Sequence, residues 1–251
     1  MKLSELAASD PISALVYGPS GTGKTTLLGL MAMHPELSPV YIADTDLRAV
    51  SMRVQVPQEA WQNIEVVPYR DSRVQGEACT MLEYNLGRLA DFKTIVIDSF
   101  TFLMNIVIMS KVLYLDGGKP ATQTPQLQNY MQQQSIAKKI LSDTRSKGTN
   151  FIITCHEGTL KDDVSGRLFK GLDLSEKFAN VVPGYFNELW HTEVQQLTGK
   201  EPAFMIRTRS DMVFSARTTF RTLDTLERQE LIWPKIIREQ TGLALPTPPS
   251  T

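Results

Sequence analysis

Five short stretches of the chain are apolar at nearly every position, with little alternation between apolar and polar residues. Such stretches are typical of parallel strands, because helices cover both faces of a parallel sheet. The predicted strands are residues 14–17, 39–43, 64–68, 94–98 and 150–155. Pro68 cannot donate a backbone hydrogen bond, so we expect the strand 64–68 near an edge of the sheet.

Segments with apolar residues at helical spacing separate these strands. The predicted helices cover residues 26–31, 76–91, 100–113 and 126–147. Towards the C-terminus we predict strands at 185–194, 203–209 and 212–216, then a helix at 226–240 with a kink at Pro234. Strands that alternate with helices indicate an α/β fold with one mainly parallel central sheet and helices on both faces.

The segment 156–180 interrupts this pattern because it is polar, and we interpret it as a long loop. A structureless stretch of this length inside a domain is usually functional or mobile. Neither a repeat nor a linker divides the chain, so residues 1–244 are predicted to form a single domain. The tail 245–251 is proline-rich, and we expect it to be disordered.

Composition limits the cellular compartment and the binding partners that the sequence predicts. Its 251 residues carry a formal net charge of −1, so any surface for nucleic acid has to be local. Cys79 and Cys155 lie far apart without metal-ligand spacing, which fits a reducing compartment. The N-terminus does not resemble a signal peptide, and the apolar segment 100–115 is too short to span a bilayer. We expect a soluble cytoplasmic protein that does not act at a membrane.

One motif carries most of the chemical information. Residues 18–25 read Gly-Pro-Ser-Gly-Thr-Gly-Lys-Thr, which is a complete phosphate-binding loop between a predicted strand and a predicted helix. Its backbone N–H groups and the helix N-terminus would hold phosphate oxygens, so the chain is expected to bind ATP. The predicted nucleotide-binding residues are Gly18, Pro19, Ser20, Gly21, Thr22, Gly23, Lys24, Thr25 and Thr26.

Three side chains have individual predicted roles at the phosphates and the metal ion of such a site. Lys24 would reach the β- and γ-phosphates as a catalytic cation, and the Thr25 hydroxyl would hold Mg²⁺. Asp98 ends the strand 94–98 and is expected to be the second Mg²⁺ residue; the alternative is an acid that merely starts the next loop. Because Ser99, and not a glutamate, follows Asp98, the group that activates water has to come from elsewhere.

The end of the second strand offers that group. Asp44 and Asp46 both lie there, and Asp46 is in the better position to orient water and accept its proton; the alternative is that Asp46 caps a helix starting at Leu47. His156 ends the strand 150–155, where it could sense the γ-phosphate and report its loss to the following loop. A purely structural histidine is the other interpretation.

Taken together, these segments resemble the RecA-like ATPases. Residues 41–46, Tyr-Ile-Ala-Asp-Thr-Asp, resemble the family segment that ends in the catalytic glutamate, and residues 94–101 resemble its Asp-Ser strand end. Residues 154–157, Thr-Cys-His-Glu, match the sensor of a compact phage-encoded family that includes single-strand-annealing recombinases. The resemblance covers about residues 12–225. It implies a RecA-like fold with C-terminal antiparallel strands and a homo-oligomer with ATP near the subunit interface.

The chain also departs from that family. The family often closes with an Ala-Lys-Asp-Arg-like segment that reaches across the interface. Here Arg217 stands at the lysine position, as a candidate catalytic residue acting in trans, while Thr219 stands at the arginine position. Arg207, Arg209 and Arg221 compete for that role. The polymerisation arm of full-length recombinases has no counterpart before the first strand, which puts filaments in doubt but not a ring or a short oligomer.

The resemblance also implies contact with single-stranded DNA. We expect that contact at loops 115–126 and 157–180; the alternative is that both are ordinary mobile surface loops. Lys119 is the basic residue of the first loop, and acids offset the bases of the second. The expected function is a Mg²⁺-dependent, DNA-stimulated ATPase of phage recombination, annealing or replication, in the host cytoplasm, with a single-strand-binding protein as a further partner. The alternatives are a nucleotide-switched assembly protein with weak or no hydrolysis and, less favoured because no arginine-rich lid segment is present, a small-molecule kinase.

Overall fold

A computed structural model describes most of the chain, and every structural statement below concerns this part. It covers residues 10–242 except 121, 162–167, 197, 198 and 200. The predicted tail at 245–251 therefore lies outside the described residues, as does the centre of the predicted loop 157–180. None of the described helices combines the length and the apolar character needed to span a bilayer.

The described residues form a nine-stranded sheet that is parallel through most of its width. In spatial order the main path is β3, β2, β4, β5, β1, β7, β8 and β9, and β6 pairs with β5 off this path. The strands in chain order are β1 (Ser13–Gly18), β2 (Val40–Asp44), β3 (Ile64–Pro68), β4 (Thr94–Asp98), β5 (Asn150–Lys161), β6 (Leu168–Leu172), β7 (Glu188–Gln195), β8 (Ala203–Arg207) and β9 (Leu226–Arg228).

Strand directions confirm the predicted fold class. Every pairing from β3 to β7 along the path is parallel, whereas β7 with β8 and β8 with β9 are antiparallel. The strand that contains Pro68 lies at the edge, as its proline predicts. The chain thus has the mainly parallel sheet with C-terminal antiparallel strands that was expected of a RecA-like protein.

Helices cover both faces of this sheet. They are α1 (Lys24–Leu30), α2 (Glu77–Leu86), α3 (Phe100–Phe102), α4 (Met109–Leu115), α5 (Leu127–Arg145), α6 (Glu176–Val181) and α7 (Gln229–Thr241). One apolar core lies under α2, α4, α5 and α6, and the other lies under α1 and α7. Successive strand residues such as Leu15 and Val16 enter opposite cores, which explains why the parallel strands are apolar throughout.

The described parts of the polar segment 156–180 form strands and a helix, so the prediction of a long loop was wrong for them. Strand β5 continues from Cys155 to Lys161 and pairs antiparallel with β6, and α6 follows. The two strands of this hairpin pair with each other beyond the parallel sheet, so they need no apolar residues on both faces. The polar residues of β5 and β6 therefore indicated strands that lie outside the parallel sheet, and not a segment without strands.

Three further predictions are corrected by the described elements. The third C-terminal strand is β9 and not 212–216, because the Asp211 carboxylate accepts the N–H groups of Val213 and Phe214 and forms a turn there. The predicted helix 226–240 starts only at Gln229, and Pro234 lies inside it. The predicted helix 100–113 is helical to Leu115, with a π-helical centre at Leu103–Ile108.

Candidate active site

The sheet order brings the predicted site residues to one edge. Strands β2, β4, β5 and β1 are consecutive neighbours, and their register pairs Asp44 with Asp98 and Gly18 with His156. In parallel sheets, ligands bind at the carboxyl ends of the strands. Four strand ends that come from distant parts of the chain therefore converge on one place.

The phosphate-binding loop joins β1 to α1 in a backbone shape that depends on glycine. Gly23 has a φ of 83°, in the left-handed region that other residues rarely adopt. A Cβ atom on Gly23 would also meet the Gln229 side-chain oxygen at 2.5 Å, and one on Gly18 would meet the Thr192 carbonyl oxygen at 2.6 Å. Both glycines thus let the loop pack closely against β7 and α7.

Lys24 lies inside this loop. Its ammonium group is buried and donates to the carbonyl oxygens of Gly18 and Pro19, both at 2.8 Å. Burial lowers the pKa of the Lys24 ammonium, and the nearby Asp98 carboxylate opposes that shift. Neutral carbonyl groups are weak partners for a buried cation, so phosphate oxygens would be better ones.

Three residues whose role the sequence did not indicate hold the phosphate-binding loop and α1 in place by hydrogen bonds: Thr192, Gln229 and Trp233. The Thr22 hydroxyl bonds the Thr192 hydroxyl at 2.6 Å, and the Thr22 carbonyl accepts the Gln229 amide at 2.7 Å. The Trp233 indole donates to the Leu27 carbonyl of α1 at 2.8 Å. Because these partners lie up to 207 positions apart, no local pattern could have indicated them.

Asp98 and Thr25 are in direct contact. The Thr25 hydroxyl donates to one Asp98 carboxylate oxygen at 2.7 Å, and the Thr154 hydroxyl donates to the other. Asp98 is buried, which raises the pKa of its carboxyl, while the two hydroxyl groups oppose that shift. The peptide bond between Asp98 and Ser99 is cis.

These oxygen donors fit Mg²⁺, which prefers oxygen ligands and usually binds through one or two carboxylates together with substrate phosphates. Among the described residues, no group of three or more His, Cys, Asp or Glu side chains is arranged to hold a metal ion. Thr25 and Asp98 would therefore hold Mg²⁺ together with the nucleotide.

The two acids after β2 have different surroundings. The Asp44 carboxylate accepts the backbone N–H groups of Arg48 at 3.2 Å and of Ala49 at 3.1 Å, at the start of the 3₁₀-helix Ala49–Val54. Asp44 therefore takes most of the capping role that was the alternative for Asp46. Asp46 accepts one longer bond, from the Arg48 N–H at 3.3 Å, and lines the cavity.

Asp46 has the pKa of a proton acceptor. Burial raises the pKa of its carboxyl to about 6, and the neighbouring Asp98 and Asp44 carboxylates add to the rise. A base with a pKa near the working pH suits proton transfer. Leu47, directly after it, has a φ of 62°, a strained conformation for a leucine.

His156 faces Asp46 across the cavity. The His156 Nε2 atom lies 3.9 Å from the Asp46 Oδ2 atom, and it is buried without a hydrogen-bond partner among the described residues. Burial and the positive charges of Lys24 and Arg48 lower the pKa of His156, so its imidazole is neutral at pH 7. A neutral ring with an unpartnered nitrogen suits contact with a ligand or a water molecule.

These groups open on one cavity of about 450 Å³, which is within the range of small-ligand sites. Of the predicted nucleotide-binding residues, Ser20, Gly21, Gly23, Lys24, Thr25 and Thr26 line it. Asp46, Asp98 and His156 line it as well. Gly18 and Thr22 are buried on the inner side of the loop, and the exposed Pro19 contributes the backbone carbonyl that accepts from Lys24.

Arg217 lies apart from this cavity. Its guanidinium donates to the backbone carbonyls of Pro183, Phe186 and Asn187, and its backbone pairs with Leu189. These bonds fix the start of β7, which is a structural role within the chain. A role of Arg217 across a subunit interface stays a prediction.

The two predicted DNA-binding loops carry bases that are largely paired. Lys119 forms an ion pair with Asp116 at 2.5 Å, and Lys170 forms one with Glu157 at 3.1 Å. Glu157 also bonds the buried His191 at 2.8 Å, which ties the hairpin to β7. Arg167 and the Lys161 side chain lie outside the described residues. Lys177 is exposed and forms no ion pair with a residue that the structure describes, so it is an unpaired base of these segments.

The chain matches one family model and is similar to solved structures. A family model described as an AAA domain matches residues 10–230. No curated protein matches the chain. Among solved structures, a KaiC-like protein from the hyperthermophilic archaeon Pyrococcus horikoshii OT3 is similar, with 15% identity, a TM-score of 0.47 and coverage of 87% of this chain and 90% of that chain. The RadB recombinase is similar to the same degree, with 15% identity, a TM-score of 0.47 and 87% coverage of each chain.

Proposed function

The chain belongs to the AAA domain family, and we propose that it is a Mg²⁺-dependent, RecA-like ATPase that acts on single-stranded DNA. One observation carries the ATPase part of this proposal. The phosphate-binding loop, the Thr25–Asp98 pair, a carboxyl with a pKa of about 6 and an unpartnered imidazole all open on the same cavity. Phosphoryl transfer to water requires this set: phosphate binding, charge neutralisation and a positioned water molecule.

The residues would divide the work as follows. Lys24 would exchange the Gly18 and Pro19 carbonyls for phosphate oxygens, and Thr25 and Asp98 would hold Mg²⁺, which would supply positive charge beside the phosphates. Asp46 orients a water molecule, whose oxygen bonds to the γ-phosphorus while the bond to the bridging oxygen breaks. The water proton passes to Asp46, and ADP and inorganic phosphate leave. His156 contacts the γ-phosphate and loses that contact after hydrolysis.

Strand β5 supports the proposed action on DNA. His156 lies where β5 leaves the parallel sheet, and the same strand continues into the β5–β6 hairpin without a break. A shift of His156 after phosphate release would therefore move the hairpin directly. We propose that this hairpin and loop 115–126 contact single-stranded DNA in phage recombination, annealing or replication, and that a single-strand-binding protein is a further partner.

A second candidate function is a nucleotide-switched assembly protein with weak or no hydrolysis. Val50 and Val54 favour it, because these side chains line the cavity and are 65% and 84% exposed. A second copy of the chain that covered them would place ATP near a subunit interface. The short carboxylate of Asp46, in place of a glutamate, would then hold water poorly.

One experiment tests both candidates. Phosphate release and gel-filtration mass are measured with and without ATP and single-stranded DNA, for the wild type, Lys24→Ala and the control Lys139→Ala. Lys139 lies on α5 in an exposed ion pair with Asp143, so its loss should change neither quantity. Removing the charge of Lys24 should lower the rate at least about 100-fold. The proposed function also requires that DNA raise the wild-type rate.

The outcomes separate the candidates. A wild type that turns over faster with single-stranded DNA supports the first proposal. ATP-dependent assembly without turnover supports the second. Turnover that no nucleic acid changes would remove DNA from the proposal while leaving the ATPase intact.

A further inference from the structure

Arg48 extends over the phosphate-binding loop, although neither the motif nor the family resemblance assigns it a role. Its guanidinium Nη1 donates to the hydroxyl of Ser20 at 3.2 Å, and Arg48 lines the same cavity as Lys24 and Asp46. Ser20 is the third residue of the loop and is exposed. The guanidinium therefore lies at the open side of the loop, where a bound nucleotide would enter.

The charge of Arg48 has no anionic partner within the described residues. Its guanidinium makes the bond to the neutral Ser20 hydroxyl and forms no ion pair there. Arg207 provides a contrast, because it pairs with Glu193 at 3.1 Å and with Asp211 at 3.0 Å. A guanidinium has five N–H donors in a planar fork that matches phosphate oxygens. Most of the donors of Arg48 are thus left for a ligand.

The backbone holds Arg48 in this place. Its N–H group is shared between the carboxylates of Asp44, at 3.2 Å, and Asp46, at 3.3 Å. Leu47 adopts its left-handed conformation between Asp46 and Arg48. A strained residue persists only where the surroundings fix it, and such residues concentrate at functional sites. The turn that presents the Asp46 carboxylate therefore also presents Arg48.

The positive charge of Arg48 acts on two other residues that line the same cavity, Asp46 and His156. Burial raises the pKa of Asp46, and the positive charge of Arg48 opposes that rise. Burial lowers the pKa of His156, and the charges of Lys24 and Arg48 lower it further. The guanidinium thus acts on both groups that the proposed function places beside the γ-phosphate. Its field favours an anion there and opposes a second cation.

We propose that Arg48 binds the terminal phosphate of a bound nucleoside triphosphate from within the same chain, releasing Ser20 as it does so. This inference rests on the proposed function and deepens it, since it assigns a further catalytic residue to the same site. The Arg48 charge would stabilise the negative charge that spreads over the γ-phosphate oxygens during hydrolysis, as an arginine finger does. Arg48 would then distinguish a triphosphate from a diphosphate.

Binding and turnover together test this inference. Affinities for a non-hydrolysable ATP analogue and for ADP, both with Mg²⁺, are measured for the wild type, Arg48→Ala, Arg48→Lys and Arg53→Ala, beside phosphate release. Arg53 is the matched control, because it lies five positions on and its guanidinium stacks over Trp61, 5.2 Å from the ring centre. We expect Arg48→Ala to lower the affinity for the analogue about tenfold and to leave the affinity for ADP unchanged. Its turnover should fall about 100-fold, with partial recovery in Arg48→Lys and no change in Arg53→Ala.

The same affinities and rates distinguish a failure of the role proposed for Arg48 from a failure of the proposed ATPase activity. If Arg48→Ala keeps the wild-type preference for the analogue over ADP, the inference is overturned even when the wild type hydrolyses ATP. Equal weakening of both ligands would also overturn it, because the contact would then involve another part of the nucleotide. If the wild type binds but does not hydrolyse ATP, the binding preference still decides the role of Arg48. A wild type that binds neither ligand overturns both proposals.

Discussion

At the scale of single residues, the Asp46 carboxylate has the surroundings of a proton acceptor. Its neighbour Asp44 accepts the two N–H groups at the start of the following 3₁₀-helix, which leaves Asp46 with a single long bond. Burial and two nearby carboxylates hold the Asp46 pKa at about 6. The sequence favoured Asp46 over Asp44 for orienting water, but it left open whether Asp46 caps the following helix instead.

Substitution of Asp46 by asparagine should separate catalysis from stability. Because a base acts in its deprotonated form, wild-type kcat/KM should rise as pH increases through about 6. Asp46→Asn should lose this rise and lower the rate by about 10²–10⁴-fold. Rates from pH 5 to 8 check both expectations, with the exposed Asp143→Asn as a control.

The same substitution should stabilise the fold above pH 6. The folded-state pKa of Asp46 is raised above its unfolded value of 3.8, so native Asp46 binds more protons and wild-type stability falls as pH rises from about 4 to 6. Asp46→Asn cannot ionise at this position, so the variant does not lose stability between pH 4 and 6 from this group. Thermal unfolding should therefore show a higher Tm for the variant at pH 8 and little difference below pH 4. A lower Tm at pH 8 would indicate a structural role for the carboxylate.

At the scale of elements, the chain shows which features a local pattern can predict. The parallel strands β1, β2 and β4 and the first half of β5 were found because burial on both faces leaves an unbroken apolar run, whereas the edge strand β3 is only partly buried. The β5–β6 hairpin was missed because its polar strands pair outside that environment. Support of the phosphate-binding loop by α7 was also missed, since the bond between Gln229 and Thr22 joins residues 207 positions apart. Such contacts depend on the folded topology and leave no mark in sequence spacing.

The bond between α7 and α1 should contribute measurably to stability. Trp233→Phe leaves the buried Leu27 carbonyl without the indole donor, which should cost about 1–3 kcal/mol. Trp61→Phe removes a similar bond, to the Val56 carbonyl, at a part-exposed position, and it should cost less because water can replace the indole. Urea unfolding of both variants measures the difference. Equal stability of Trp233→Phe and the wild type would show that α7 does not support the loop in this way.

At the scale of the whole molecule, strand order creates the site. Strands β2, β4, β5 and β1 lie side by side, so Asp46, the hydrogen-bonded pair Thr25 and Asp98, His156 and the phosphate-binding loop meet at one edge. The motif and the acids could be predicted because each ends a recognisable strand. The position of Arg48 at the site could not be predicted, because nothing in the residues around it shows that its side chain turns back over the phosphate-binding loop.

We propose that this edge hydrolyses Mg-ATP, and a phosphate-release assay measures that activity itself. The measurement compares the wild type and Asp98→Asn, at matched ATP occupancy, with Mg²⁺ and with excess EDTA. The wild type should complete many turnovers with Mg²⁺ and none with EDTA. Asp98→Asn should lose about 100-fold or more in rate, because an amide holds Mg²⁺ less well than the carboxylate. Equal rates for the two proteins, or no release from a wild type saturated with Mg-ATP, would contradict the claim.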